Sequence, residues 1–166
     1  MEKVILVDKN DNEIGVEEKI KAHQQGKLHR CFSIAVFNSD NEILLQKRAQ
    51  NKYHSPGLWT NTCCGHPRPG EDTENAAHRR LKEEMGFDCP LKEAFTFIYR
   101  HKFDNGLIEH EYDHVFIGEF DGNPNPNLEE VCDWKRVDKK GLKKDIQKSP
   151  EKYTYWFKIS IDRMIQ

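Results

Sequence analysis

The chain has 166 residues, 36% of them hydrophobic, a content that suits one domain built on one core, with room for a helical flap. Charged residues make up 33%, yet the formal net charge is only −2, which argues against a general nucleic-acid binder and confines any anion site to a local cluster. No run approaches the roughly 18 apolar residues of a membrane span, and the opening "MEKVILVDKNDNEIG" lacks the long apolar region of a signal peptide. Five cysteines, an odd number with two of them adjacent, argue against a disulfide framework and point to a reduced, cytoplasmic protein.

Taken in chain order, "VILVDKNDNEIG" predicts a strand, a polar turn and a second short strand. "VEEKIKAHQQGKLHR" is polar with a mid-segment Gly26 and reads as a loop or a frayed helical turn. "CFSIAVFN" (residues 31–38) is rich in β-branched and aromatic residues and predicts a strong strand. After the "SDN" turn, "EILLQKR" (42–48) completes a hairpin with it. "AQNKYHSPG" is a loop and "LWTNTCC" a further strand.

The Pro- and Gly-rich "PRPG" leads into "EDTENAAHRRLKEEMGF", a predicted helix. Asp72 or Thr73 can cap its start, and Gly86 sits where a left-handed C-terminal cap is wanted. "EAFTFIYRHKF" (93–103), "DNG" and "LIEHEYDHVFIGEF" (107–120) make a second hairpin. A Pro/Asn linker, a short strand "DWKRVD" and a basic helix "KKGLKKDIQKS" follow. Ser149-Pro150 opens a last helix with Tyr153, Trp156, Phe157, Ile161 and Met164 at near-helical spacing. The pattern predicts a mixed sheet with helices packed around it, an α+β fold in one domain over 1–166.

The chemistry concentrates around "WTNTCCGHPRPGE", the segment that leads into the "EDTENAAHRRLKEEMGF" helix. Gly65 is followed by Glu71 six residues on, by Arg79 eight further, and then by "LKEEMGF". That is the spacing of the Nudix box, G-x5-E-x7-R-E-U-x-E-E-x-G-U, matched at Gly65, Glu71, Arg79, Leu81, Glu83, Glu84, Gly86 and Phe87. Arg80 departs from it, standing where a central Glu belongs. A cation there weakens a carboxylate metal cluster and makes a natural phosphate contact. Any one of these glutamates alone suits an ordinary surface ion pair equally well.

His23 and His29 flank Gly26, and His66 follows the cysteine pair. Glu109 and Glu111 sit two apart on a predicted strand and so share a face. Cys63 and Cys64 point to opposite faces of a strand, so only one can face a pocket. Cys31, Cys89 and Cys132 are read as core residues, and His54, His78, His101, His110 and His114 as ordinary histidines. Lys19, Arg48 and Lys52 are unremarkable singly, but with Arg80 they can make a diphosphate cradle. Trp156 suits the core, or can stabilise a cation with its π face.

Together "KLHR", "FNSDNEILLQKRA", "SPGLWTNTCCGHPRPGE", "RRLKEEMG" and "IEHEYDHVF" resemble the type 1 isopentenyl-diphosphate delta-isomerases, nearly end to end. The resemblance implies an α/β/α Nudix-like sandwich with a C-terminal helical cover. It implies double-bond transposition between isopentenyl and dimethylallyl diphosphates in isoprenoid biosynthesis, without hydrolysis. It implies Cys64 rather than Cys63 as the catalytic thiol, opposed by Glu111 with help from Tyr99. His23, His29, His66, Glu109 and Glu111 are implied as the shell of a Mn2+, Zn2+ or Mg2+ ion, and Glu84 as the ligand of a Mg2+ carried with the diphosphate. Lys19, Arg48, Lys52 and Arg80 are implied as diphosphate contacts, and Trp156 as a neighbour of the reacting carbons. A small prenyl diphosphate is then the expected partner, with neither nucleic acid nor membrane. A Nudix pyrophosphohydrolase is the alternative within the fold, and a metal-sensing or redox module built on the cysteines and histidines the alternative outside enzymes.

Overall fold

The computed structural model describes residues 1–166. Its strands are β1 Lys3–Val7, β2 Glu13–Glu18, β3 His29–Phe37, β4 Glu42–Arg48, β5 Trp59–Thr60, β6 Cys63–Gly65, β7 Leu91–Lys102, β8 Ile108–Glu119 and β9 Val131–Asp138. Its helices are α1 Lys19–Gln25, α2 Thr73–Met85, α3 Lys139–Lys148 and α4 Tyr155–Met164. No helix is long and apolar enough to cross a membrane.

Strand β3 organises the sheet. It runs parallel to β8 from His29↔Glu111 to Phe37↔Glu119, and antiparallel to β6 through Ser33↔Cys64. Strict alternation on β3 then feeds two cores. Phe32, Ile34 and Val36 pack with Cys63 and with Ala76, Ala77, Leu81 and Met85 of α2. Ala35 and Phe37 point the other way, to Leu142 of α3 and to Trp156, Phe157 and Ile161 of α4. A sheet covered on both faces by helices is the layered α+β architecture the pattern predicts.

Helix α2 forms as its sequence dictates. The Asp72 side chain accepts from Asn75 N at 3.0 Å, and Gly86 closes the helix at φ 72°. Four expectations are corrected or sharpened. The segment before β3, read as a loop or a frayed helical turn, takes the helical alternative in a more regular form: β2 reaches Glu18, and α1 follows as a seven-residue helix stopped by Gly26 in the left-handed region. β3 and β4 barely pair, meeting only at Phe37↔Ile43, because the Thr62 hydroxyl comes between them, accepting from Val36 N and donating to Leu44 O, while the other edge of β4 pairs with β9 from Glu42↔Asp138 to Arg48↔Val131. "LWTNTCC" is two short strands, since Asn61 and Thr62 turn their side chains to backbone groups instead of continuing the ladder. Pro150 opens a single 3-10 turn, and α4 starts only after Thr154.

Candidate active site

The register of β3, β7 and β8 brings three site residues into one row. Glu111 stands beside His29 on one side and Tyr99 on the other. With a period of two, Glu109, Glu111 and Asp113 all face the same side of β8; all three are buried. Four residues along β3 from His29, Ser33 lies opposite Cys64. His66 follows just past the end of β6, and His23 enters from α1, fully buried.

The imidazoles are aimed by their backs. His23 Nδ1 donates to Lys19 O at 2.7 Å and His29 Nδ1 to Lys27 O at 2.9 Å. Their Nε2 lone pairs therefore point inward, toward Glu109 Oε1 at 3.4 Å and Glu111 Oε1 at 3.3 Å, and neither Nε2 has a hydrogen-bond partner. His66 Nε2 lies 2.8 Å from Glu111 Oε1, and the Tyr99 hydroxyl donates to Glu111 Oε2 at 2.5 Å. Burial pushes His66 down to about 4 against the pull of Glu111. Burial also opposes ionisation of Glu111, but the His29 and His66 contacts outweigh it and hold the carboxylate well below its usual range.

Orphaned buried Nε2 atoms converging on two carboxylates are what a divalent ion requires. His23, His29, His66 and Glu111 offer ligand atoms within 4.8 Å of one another, and His23, His54 and Glu109 form a second such set. The residues present therefore fit a metal.

Cys63 and Cys64 do face opposite ways. Cys63 is fully buried under α2, with its Sγ 3.4 Å from Glu84 Oε2, while Cys64 lines the cavity that holds the carboxylates. Burial pushes the Cys64 thiol up to about 12, helped by the nearby Asp113 charge, so the sulfur is held as a neutral thiol. The Asn61 amide brackets it, with Nδ2 3.2 Å and Oδ1 3.3 Å from Sγ.

The same cavity is lined by Lys19, Arg48, Lys52 and Arg80, by Glu84, and by Trp156. Arg80 pairs with Glu84 along α2, one turn apart, and Gln46 holds the other Glu84 oxygen at 2.9 Å. Lys52 pairs with Glu130, and Lys19 with Glu2 at 3.1 Å. Arg48 lies 5.3 Å from the Trp156 ring centre. Four cations thus share one pocket with the Cys64 thiol, with Cys31, and with the carboxylates of Glu2, Glu84, Glu109 and Glu111.

Sequence reasoning missed three neighbours. His54, set aside as ordinary, is 4% exposed and has its Nε2 2.5 Å from Glu109 Oε1. It comes from an irregular loop whose sequence carries no periodicity to place it. Asp113 extends the Glu109–Glu111 alternation by one more step and was legible in that sense; its Oδ2 accepts from Ser33 Oγ at 2.7 Å. Asn61 gave no signal, because its role depends on the break between β5 and β6. Cys132, expected in the core, is exposed, since the solvent face of β9 carries it.

The NUDIX domain family matches residues 27–157. The chain is 60% identical over 159 residues to Isopentenyl-diphosphate Delta-isomerase 2 of Photorhabdus laumondii, covering 96% of this chain and 90% of that one. It is 56% identical over 164 residues to Isopentenyl-diphosphate Delta-isomerase 2 of Aromatoleum aromaticum, covering 99% and 87%. Among solved structures, DR0079 from Deinococcus radiodurans superposes with a TM-score of 0.84 at 18% identity, covering 99% of this chain and 100% of that one. A MutT protein from Methanosarcina mazei superposes at 0.67 and 18%, covering 82% and 92%. The two superpositions carry the fold alone, and the sequence identities carry the family: the chain has the Nudix fold and belongs to the isopentenyl-diphosphate Delta-isomerases.

Proposed function

We propose that this chain interconverts isopentenyl and dimethylallyl diphosphates, acting as one domain over residues 1–166. The observation that carries the reading is a neutral thiol, Cys64, sharing a cavity with an ionised carboxylate, Glu111, and with four basic side chains. Both halves of the chain contribute to that cavity, Lys19 from α1 and Trp156 from α4.

Transposing an unactivated double bond means adding a proton at one carbon and removing one from another. The alkene π pair takes a proton at the terminal carbon, leaving a tertiary cation. Loss of a proton from the neighbouring methylene returns a C–H pair to form the new double bond. Cys64 and Glu111 are the acid and base groups, and Tyr99 keeps Glu111 oriented. The Trp156 ring and the buried carboxylates stabilise the cation, and α4 helps to exclude the water that would trap it.

Lys19, Arg48, Lys52 and Arg80 bind the diphosphate, with Glu84 as the protein ligand of its Mg2+. His23, His29, His66, Glu109 and Glu111 hold a Mn2+, Zn2+ or Mg2+ ion. When bound, such an ion supplies fixed positive charge that keeps Glu111 ionised in an apolar site. Arg80 speaks against phosphate hydrolysis, because it puts a cation where the box has a carboxylate and so removes one of the groups that would gather metal there.

The test is incubation of metal-loaded, folded protein with isopentenyl diphosphate and Mg2+, read by product analysis. Dimethylallyl diphosphate is the expected product. Its absence, or release of inorganic phosphate in its place, overturns the reading.

A further inference from the structure

We propose that His54 is a fourth imidazole ligand of the metal centre, beside His23, His29 and His66. The inference rests on the reading of those histidines as one metal shell and enlarges it by a residue from the loop between β4 and β5.

Three features set His54 apart from a buried histidine satisfied by its neighbours. Its Nε2 is buried and has no hydrogen-bond partner, the condition shared by the Nε2 atoms of His23 and His29 and by no other imidazole nitrogen in the chain. That nitrogen lies 2.5 Å from Glu109 Oε1 but off the direction of a hydrogen bond, so the carboxylate stands beside it without satisfying it. And His54, His23 and Glu109 place their ligand atoms within 4.8 Å of one another. Its Nδ1 is backed by Ser55 Oγ at 3.4 Å, and its ring stacks on Phe103 at 4.7 Å with a 10° tilt. The ring is thus held on its apolar face while the orphaned nitrogen looks into the centre.

The set containing His54 and the set containing His29, His66 and Glu111 have His23 in common. The ligand atoms of the six residues do not all lie within 4.8 Å of one another, so the two sets are distinct and meet at His23. One Nε2 lone pair coordinates one ion, and under this assignment an ion held by His23 gathers both sets into a single centre. Nitrogen-rich ligation favours Zn2+, Mn2+ or Co2+ over Mg2+. It also couples the centre to the rest of the pocket. The His54 carbonyl accepts from Arg48 Nη2 at 3.1 Å, and the ring meets Trp156 edge-on at 5.6 Å.

The test uses the full chain loaded with Co2+ alone. Proton NMR of the wild-type protein should show four exchangeable, hyperfine-shifted imidazole N–H signals, one per ligating ring. His54→Phe should remove one of them, alter the Co2+ absorption spectrum and weaken Co2+ binding at least about 10-fold. His54→Gln serves where the Phe variant does not fold. Three wild-type signals, all of which persist in the His54 variant, overturn the proposal while leaving the three-histidine shell intact. A loss of affinity with an unchanged spectrum also overturns it, since His54 then only positions Glu109. No Co2+ binding by the wild-type protein overturns the metal-shell reading and this inference together, and His29→Ala, which should weaken binding in either case, separates the two.

Discussion

The Tyr99 hydroxyl donates to Glu111 Oε2 at 2.5 Å, across the β7–β8 ladder in which the two residues are direct partners. His66 Nε2 holds the other oxygen, Oε1, at 2.8 Å. Glu111 is therefore clamped at Oε2 by a partner that sheet register sets, while Oε1 faces His66 just past the end of β6. Tyr99→Phe keeps the ring and its packing while removing one charge-assisted hydrogen bond, worth about 1.5–3 kcal/mol. The expected outcome is a fall in kcat of roughly 10–100-fold with little change in KM. Steady-state kinetics on the isomerisation checks it; an unchanged kcat would show that Glu111 needs no clamp.

That clamp was half legible in the sequence. The alternation of Glu109 and Glu111 fixed their common face, because a strand offers only two. The identity of the cross-strand partners depends on register, which no local pattern supplies. Helix α2 was the most legible element, since Asp72, Gly86 and the box spacing all act within one turn of the residues that they govern. His54 and Asn61 were opaque for the opposite reason: an irregular loop and a strand break have no period. The pairing of β4 with β9 hid in the same way, since over eighty residues separate the partners Leu44 and Arg136 in sequence and only the assembled sheet joins them.

The adjacent cysteines should behave as different residue types. Cys64→Ala removes the thiol from the cavity and should lower turnover roughly 10²–10⁴-fold, the usual contribution of a positioned acid or base. Cys63 packs under α2 against Leu81 and Met85, with its Sγ near Glu84. Cys63→Ala should leave turnover within about threefold and cost about 1–2 kcal/mol of stability. Parallel activity assays and urea titrations of the two variants check the assignment, and equal losses of activity would refute it.

Asp113 gives a dependence on pH. Burial and the nearby Glu111 charge raise its carboxyl from 3.8 to about 8, and its Oδ1 has no partner. In the metal-free protein, the folded state then keeps a proton between those two values that the unfolded chain releases. The folded state binds more protons there, so this group's contribution to stability is fullest below the unfolded value and declines as pH rises toward 8. Asp113→Asn cannot ionise and lacks that decline. Urea unfolding with a chelator present, at about pH 5 and about pH 8, should show the wild-type protein losing ground to the variant as pH rises. Identical pH trends would mean that the Asp113 carboxyl is already ionised at low pH.

Gly86, a fixed position of the box, has a structural reason to be glycine. Its φ is 72°, and a Cβ there would fall on the Asn125 carbonyl oxygen, in the segment whose Asn125 N bonds back to Met85 O at 2.9 Å. The same segment donates Asn127 N to Glu84 O at 2.9 Å. The linker is thus laced to the end of α2 and cannot retreat without giving up hydrogen bonds that hold the backbone of Glu84. Gly86→Ala should therefore cost about 2 kcal/mol or more, the sum of left-handed strain and displaced backbone. Gly106 is the control: its φ is 86°, and nothing lies within 4 Å of a Cβ placed there. Gly106→Ala should carry the strain alone, about 1–2 kcal/mol, and leave turnover intact. If Gly86→Ala proves no more costly than Gly106→Ala in urea titrations, the Asn125 segment is free to move. If it is costlier and also raises KM for the Mg2+-bound diphosphate, the linker is part of what aims Glu84.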